Sequence, residues 1–262
     1  MTLLDEALAL GAIAPGEWTA FAHPEYEGHT CMFGGWTAAV LLRAVVADER
    51  AEGTPVALTV HLLRPVPTGE RVTLSTRALG GGQSLTTWHS ELRLASGNEL
   101  AAVATVVMAK RRDTETFTEP AMPSAPAPET LSSEVFPLPF AQKLDTRAVA
   151  GFPPFGRSES KQVAWRKERS GRLMDHAQLA FMCDAQAPAI FFRSSGPRPN
   201  STISMSVYFY ATPSELAAVG DDFVLGESTG TRAQASVVGS QIRLWSRGGA
   251  LLATSEQVCW FR

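Results

Sequence analysis

The stretch GNELAAVATVVMAKR at 97–111 returns 151 residues later as GGALLATSEQVCWFR at 248–262, and that pair decides how the 262-residue chain divides. Gly97/Gly248, Leu100/Leu251, Ala102/Ala253, Val107/Val258 and Arg111/Arg262 are identical at this offset. The same offset reaches back through Val72/Phe223, Leu74/Leu225 and Gln83/Gln234, with room for a slip of one residue between. Single identities carry little; this many at one spacing indicate a duplicated unit.

Each copy predicts the same elements. Residues 34–50 (GGWTAAVLLRAVVADER) are apolar on nearly every side, as in a helix wrapped by other structure. Strand-like alternation follows at 58–66, 71–79, 85–95 and 99–111. In the second copy a helix is expected at 176–187, closed by Pro188, with strands at 201–211, 223–229, 236–246 and 250–262. Between the copies, residues 112–136 carry Pro120, Pro123, Pro126 and Pro128 among Ser, Thr and Glu, a linker composition. The expected organisation is 1–111, a proline-rich linker at 112–136, and 137–262. The fold class is α+β, one long helix wrapped by an antiparallel sheet, twice.

Composition narrows the function. The chain is 45% hydrophobic and 19% charged with a net charge of −3, which argues against the basic face that nucleic acid or an anionic membrane surface requires. No apolar run approaches the roughly 20 residues that span a bilayer. The start, MTLLDEALAL, carries Asp5 and Glu6 instead of the basic residues of a secretion signal. The cysteines, Cys31, Cys183 and Cys259, have no ligand-like spacing, so neither a metal nor a disulfide framework is expected and the cytoplasm is the default compartment. No cofactor is expected.

The repeat also supplies an internal control. On the last strand of the first copy the row Leu100, Ala102, Ala104, Val106, Met108 is apolar and faces the helix. Its counterpart is Leu251, Ala253, Ser255, Gln257, Cys259, so Gln257 stands where Val106 stood. At the same offset Thr229 replaces Ala78. Asp184 closes the apolar run Leu179–Cys183, where it opposes the dipole of its own helix by about 0.3–1 kcal/mol. An acid, an alcohol and an amide thus enter one copy at positions expected to face the interior. A turn cap for Asp184 and a strand bulge for Gln257 are the alternatives.

These residues lie within a broader resemblance. FGGWTAAVLLRAV at 33–45, LLRPVPTGERV at 62–72, GGQSLTTWHSEL at 81–92, DAQAP from Asp184, EST at 227–229 and ATSEQVCWFR at 253–262 together resemble acyl-CoA thioesterase II. No single motif is specific; their order is. The resemblance implies a double hotdog fold, an acyl-CoA substrate, a homodimer or larger homo-oligomer, and a catalytic set of Asp184, Thr229 and Gln257. Thr231 lies two residues beyond Thr229 on the same face, and a gap in that loop would exchange their roles.

Thioester hydrolysis needs an activated water and donors for the oxyanion. Asp184 is the candidate base, with Gln257 and Thr229 holding the water. Backbone N–H groups at Gly34 and Gly35, where the first helix begins after Phe33, are candidate oxyanion donors. Tight helix packing explains the two glycines equally well. Two other functions remain open at this stage. One is a hotdog enoyl-CoA hydratase, which would need a histidine that Asp184 lacks nearby; the other is an acyl-CoA binding module without chemistry. Cys183 has no basic activator, and His176 is read as part of a helix start.

Overall fold

The computed structural model describes residues 1–262. In chain order the first half contains α1 (Leu3–Ala7), β1 (Gly11–Ala14), β2 (Glu17–Phe21), α2 (Gly34–Val46), β3 (Thr54–Leu62), β4 (Arg71–Gly81), β5 (Leu85–Leu94) and β6 (Leu100–Ala109). The second half contains α3 (Pro139–Gln142), β7 (Leu144–Ala150), β8 (Gln162–Glu168), α4 (His176–Asp184), α5 (Ala189–Arg193), β9 (Asn200–Phe209), α6 (Pro213–Val219), β10 (Val224–Gln234), β11 (Val237–Ser246) and β12 (Leu251–Phe261). The eight expected strands are present as β3–β6 and β9–β12. Sequence reading did not anticipate β1, β2, β7 and β8. The first two are short, and β8 buries Gln162, Arg166 and Glu168, so it shows no alternation of apolar and polar residues.

All twelve strands form one antiparallel sheet in the order β1-β2-β4-β5-β6-β3-β9-β12-β11-β10-β8-β7. Read outward from the β3–β9 contact, the two sides have the same order. That contact pairs Leu58 with Val207 and Val60 with Met205, both fully buried, while Thr59 Oγ1 and Ser206 Oγ meet at 3.0 Å. The sheet twists around α2 and α4, which lie against each other inside it. No helix is long and apolar enough to cross a membrane.

The two inner helices are buried on every side, which explains their lack of a polar stripe. In α2, ten residues from Gly35 to Val45 are buried, and Trp36 donates its indole N–H to Ala7 O at 2.7 Å, which ties α1 to the core. In α4, every residue from Ala177 to Asp184 is buried. Its N-cap is Asp175, which accepts the Gln178 N–H at 2.8 Å and pairs with Arg172. The helix ends at Asp184, earlier than expected, because Ala185 N–H turns back to Met182 O and Pro188 cannot continue the ladder. One cluster of 49 buried apolar residues joins both halves.

The linker does not hang free. Val163, Trp165, Phe223, Leu225 and Trp245 form an apolar patch on the outer face of the sheet, and Met122, Ala125 and Leu131 cover it. The Trp165 indole donates to Pro126 O at 2.9 Å, and Arg147 donates to Leu131 O at 2.6 Å.

Candidate active site

Strand pairing fixes which side chains meet beneath α4. On β12 the inward residues are Ala253, Ser255, Gln257 and Cys259, all buried, in the register expected from the repeat. Gln257 pairs with Met205 on β9 and Ser240 on β11, and Ser240 pairs with Gly230 on β10. Across the first half the corresponding row is Leu58, Val106, Trp88 and Ala78. Gln257 therefore does stand in the row position of Val106. Its Oε1 is buried and has no hydrogen-bond partner in the protein. An orphaned buried amide oxygen costs about 1–3 kcal/mol, a cost that a bound water or substrate would relieve.

The hydroxyl falls elsewhere. Thr229 pairs with Gln241, is exposed, and points to the outer face; Thr231 is exposed too, beside Gly239 on an outer concavity of about 280 Å³. The row counterpart of Ala78 is Gly230, because the slip of one residue falls between β4 and β10. A one-residue shift reverses the face of every side chain. The inward hydroxyl on this strand is Ser228, buried and paired with Ile242.

Asp184 meets the beginning of α2. A Cβ on Gly34 would stand 2.7 Å from Asp184 Oδ2, and one on Gly35 would stand 2.7 Å from Phe181 O. The acid thus sits at the negative end of its own helix and the positive end of the other, where N–H groups of the first turn lack helical partners. Burial pushes the Asp184 carboxyl up to about 6, and the Thr202 hydroxyl and Gly35 N–H restrain the rise. Thr202 Oγ1 lies 3.4 Å from Asp184 Oδ1. Phe33, ahead of the two glycines, stacks on Phe140 at 3.8 Å and meets Phe181 edge-on at 5.1 Å, closing that side of the site.

The loop after Asp184 is gripped by a buried polar network. Gln186 donates to Met182 O at 3.3 Å and accepts from Arg166 at 2.6 Å, while Gln162 donates to Ala187 O at 2.7 Å. Beyond it, a Cβ on Gly230 would meet the Ser160 hydroxyl and Ala189 of α5, and the Gly230 N–H donates to Ser160 Oγ at 2.9 Å. Burial raises the Cys183 thiol far above its usual range, so it stays protonated and inert. His176 lies at the far end of α4, about 12 Å along the helix from Asp184, edge-on to Phe209.

The site thus brings together Asp184, Gly34, Gly35 and Phe33, places Gln257 on the same interior face, and leaves Thr229 and Thr231 outside. Sequence reading singled out neither Thr202, beside Asp184, nor Ser228, the inward hydroxyl of β10. Ser228 was within reach, since EST offers two adjacent hydroxyls. Nothing in the sequence marks Thr202.

Comparison with known proteins first defines the class. A conserved protein of unknown function with a hot dog fold from Alicyclobacillus acidocaldarius is 27% identical, with a TM-score of 0.94 over 100% of this chain and 98% of that one. A candidate thioesterase II from Thermobifida fusca YX is 20% identical, with a TM-score of 0.87 and the same coverage of both chains. An acyl-CoA thioesterase II from Mycobacterium marinum is 18% identical, with a TM-score of 0.77 over 99% of this chain and 98% of that one. No curated protein matches by sequence. The chain has a hot dog-type α+β fold. The family follows from two models: the acyl-CoA thioesterase N-terminal domain matches residues 22–109, and the acyl-CoA thioesterase C-terminal domain matches residues 118–261. The chain belongs to the acyl-CoA thioesterase family and is a thioesterase.

Proposed function

We propose that the chain is a tandem pair of hot dog units, 1–111 and 137–262 joined by 112–136, that hydrolyses acyl-CoA with Asp184 as base. The observation that carries this reading is a buried carboxyl, raised to about 6, facing the N-terminal end of α2. Near neutral pH the group is ionised, yet basic enough to take a proton from water. Gln257, with its unpaired Oε1, and Thr202, whose hydroxyl lies 3.4 Å from Asp184 Oδ1, hold that water from the sheet. The water oxygen attacks the thioester carbonyl carbon while Asp184 accepts its proton. The carbonyl oxygen becomes an oxyanion at the first turn of α2, where N–H groups and the helix dipole stabilise it. Collapse breaks the C–S bond, and the proton on Asp184 passes to the departing thiolate. The products are a free acid and the coenzyme thiol.

The repeat supports the tandem arrangement, as does the matching strand order on either side of β3–β9. A hydratase reading has no support here, because the only histidine on α4 is at its opposite end.

The test is thiol release from a panel of acyl-CoAs. Thr202→Val is expected to lower kcat/KM about tenfold or more, whereas Thr229→Ala leaves it within about twofold. Equal losses in the two variants would remove Thr202 from the site. For the wild type, kcat/KM should fall on the acid side with a midpoint near pH 6, as the base becomes protonated. A plateau extending to pH 4 would exclude Asp184.

A further inference from the structure

Arg166 on β8 is a buried guanidinium without a counter-ion. It donates to two neutral amide oxygens, Gln186 Oε1 at 2.6 Å and Gln162 Oε1 at 3.5 Å, and no carboxylate pairs with it. Burial pulls it down to about 10, so it still carries its charge at neutral pH. Amide dipoles do not neutralise a unit charge, and a buried ion without its opposite is costly. The other buried arginine, Arg172, shows the ordinary solution, pairing with Asp5 and Asp175 at 2.7 Å each. The repeat marks the same place. The rows of β4 and β10 match at an offset of 152, so Val72 and Leu74 correspond to Val224 and Gly226. Val72 pairs with Ala20 on β2, whereas Val224 pairs with Arg166 on β8. A cation thus stands where the first copy buries a methyl group, and the leucine beside it has become glycine. A Cβ on Gly226 would lie 3.1 Å from Arg166 Nη1 and 2.9 Å from Gln186 Nε2, so the absent side chain leaves room for both groups.

Polar groups connect this cation to the reacting end. Gln162 pairs across the sheet with Ser228, Ser228 with Ile242, and Ile242 with Ser255. Ser255 lies two residues from Gln257 on the same face, and its buried Oγ has no partner in the protein. The row spans three strand spacings, about 14 Å. A plain hydrocarbon chain laid along it would leave the hydroxyl and the cation uncompensated. We propose that the acyl group carries a carboxylate at its far end, received by Arg166, and that the substrate is an ω-carboxyacyl thioester of coenzyme A. The proposal rests on hydrolysis at Asp184. The planar guanidinium offers two parallel N–H donors to the two carboxylate oxygens. Its 3.5 Å contact with Gln162 is the one released, since Gln162 Oε1 keeps the Ala187 N–H at 3.2 Å; Gln186 keeps hold of Nη1. Water cuts only the thioester, so the far carboxylate is unchanged and the products are a dicarboxylic acid and the coenzyme thiol.

The experiment compares kcat/KM, read by thiol release, for matched acyl-CoAs of graded chain length: the ω-carboxyacyl form, its ω-methyl ester and the unsubstituted chain. Wild type, Arg166→Met and Gln162→Glu are measured. In wild type, the ω-carboxyacyl substrate that spans the row is expected to exceed both neutral counterparts about tenfold or more. In Arg166→Met that ratio should fall to about one or below. Gln162→Glu gives the guanidinium a carboxylate of its own, so its ratio should fall as far. A wild-type ratio of one or below at every length overturns the proposal, whether or not the variants fold. So does a ratio that Arg166→Met leaves unchanged through equal losses on all three substrates, which would make Arg166 a support for the loop after Asp184. A ratio that survives in Gln162→Glu overturns it as well. Absence of thiol release from every acyl-CoA would instead overturn the hydrolysis itself, so the two failures are distinct.

Discussion

Asp184→Asn is expected to lose roughly a thousandfold in kcat while gaining stability at neutral and alkaline pH. The first effect is the size usual for removing a general base, within the range of about 10²–10⁴. The second follows from proton linkage. The folded carboxyl titrates at about 6, whereas an unfolded aspartate titrates near 3.9. Below about pH 4 both states are protonated and the acid costs nothing. Between about pH 4 and pH 6 the unfolded chain releases its proton first, so stability falls as pH rises through this window. Above pH 6 the folded state carries a buried charge, a penalty of about 2–3 kcal/mol for a shift of this size. Asparagine keeps the shape without the charge. Its melting temperature should therefore exceed the wild type's by several degrees at pH 8, and the two should converge near pH 4. A variant that is inactive yet also less stable at pH 8 would mean that the acid is anchoring the fold.

The two glycines opening α2 should respond differently to the same small change. At Gly35 an added methyl meets the backbone oxygen of Phe181 at 2.7 Å, and neither helix can yield without disturbing the core both share. Alanine ordinarily gains about 1 kcal/mol over glycine inside a helix. Here overpacking should reverse the sign, for a net loss of about 1–3 kcal/mol seen as a drop in melting temperature. At Gly34 the methyl meets side-chain atoms only, Asp184 Oδ2 at 2.7 Å and Leu62 Cδ1 at 3.0 Å. Those can move. Gly34→Ala should fold nearly as well as wild type but lose about a hundredfold in kcat/KM, because the carboxylate is pushed from its place. Wild-type activity in Gly34→Ala would show that Oδ2 does not work against the start of α2.

The repeat made much of this site legible. Asp184 and Gln257 stood out because each broke an apolar row, and the structure buries both. The inward hydroxyl of β10, Ser228, lies one position from the residue that the repeat picked. Val106 and Gln257 are 151 residues apart, but the rows of β4 and β10 match at 152, from Thr76 to Ser228. An alternating strand gives no warning of such a slip when both neighbours are hydroxyls. Thr202 was invisible for another reason: its partner Cys259 follows an irregularity in β9–β12 pairing, so no simple spacing links them. Strand β8 was hidden because buried Gln162, Arg166 and Glu168 break its apolar pattern; Gln162 and Arg166 serve the network around Gln186. The docking of residues 112–136 was not legible, because it depends on Trp165 and Trp245 presenting an apolar patch on the outer face.

The acid comes from residue 184, whereas the helix end it faces comes from residues 34 and 35. A polypeptide cut within residues 112–136 would yield two pieces, each lacking part of the proposed reaction centre and each exposing a bare sheet edge at β3 or β9. On the proposed mechanism neither piece would turn over substrate alone. Mixing them would be a complementation assay in which recovered turnover measures how well the two edges find one another.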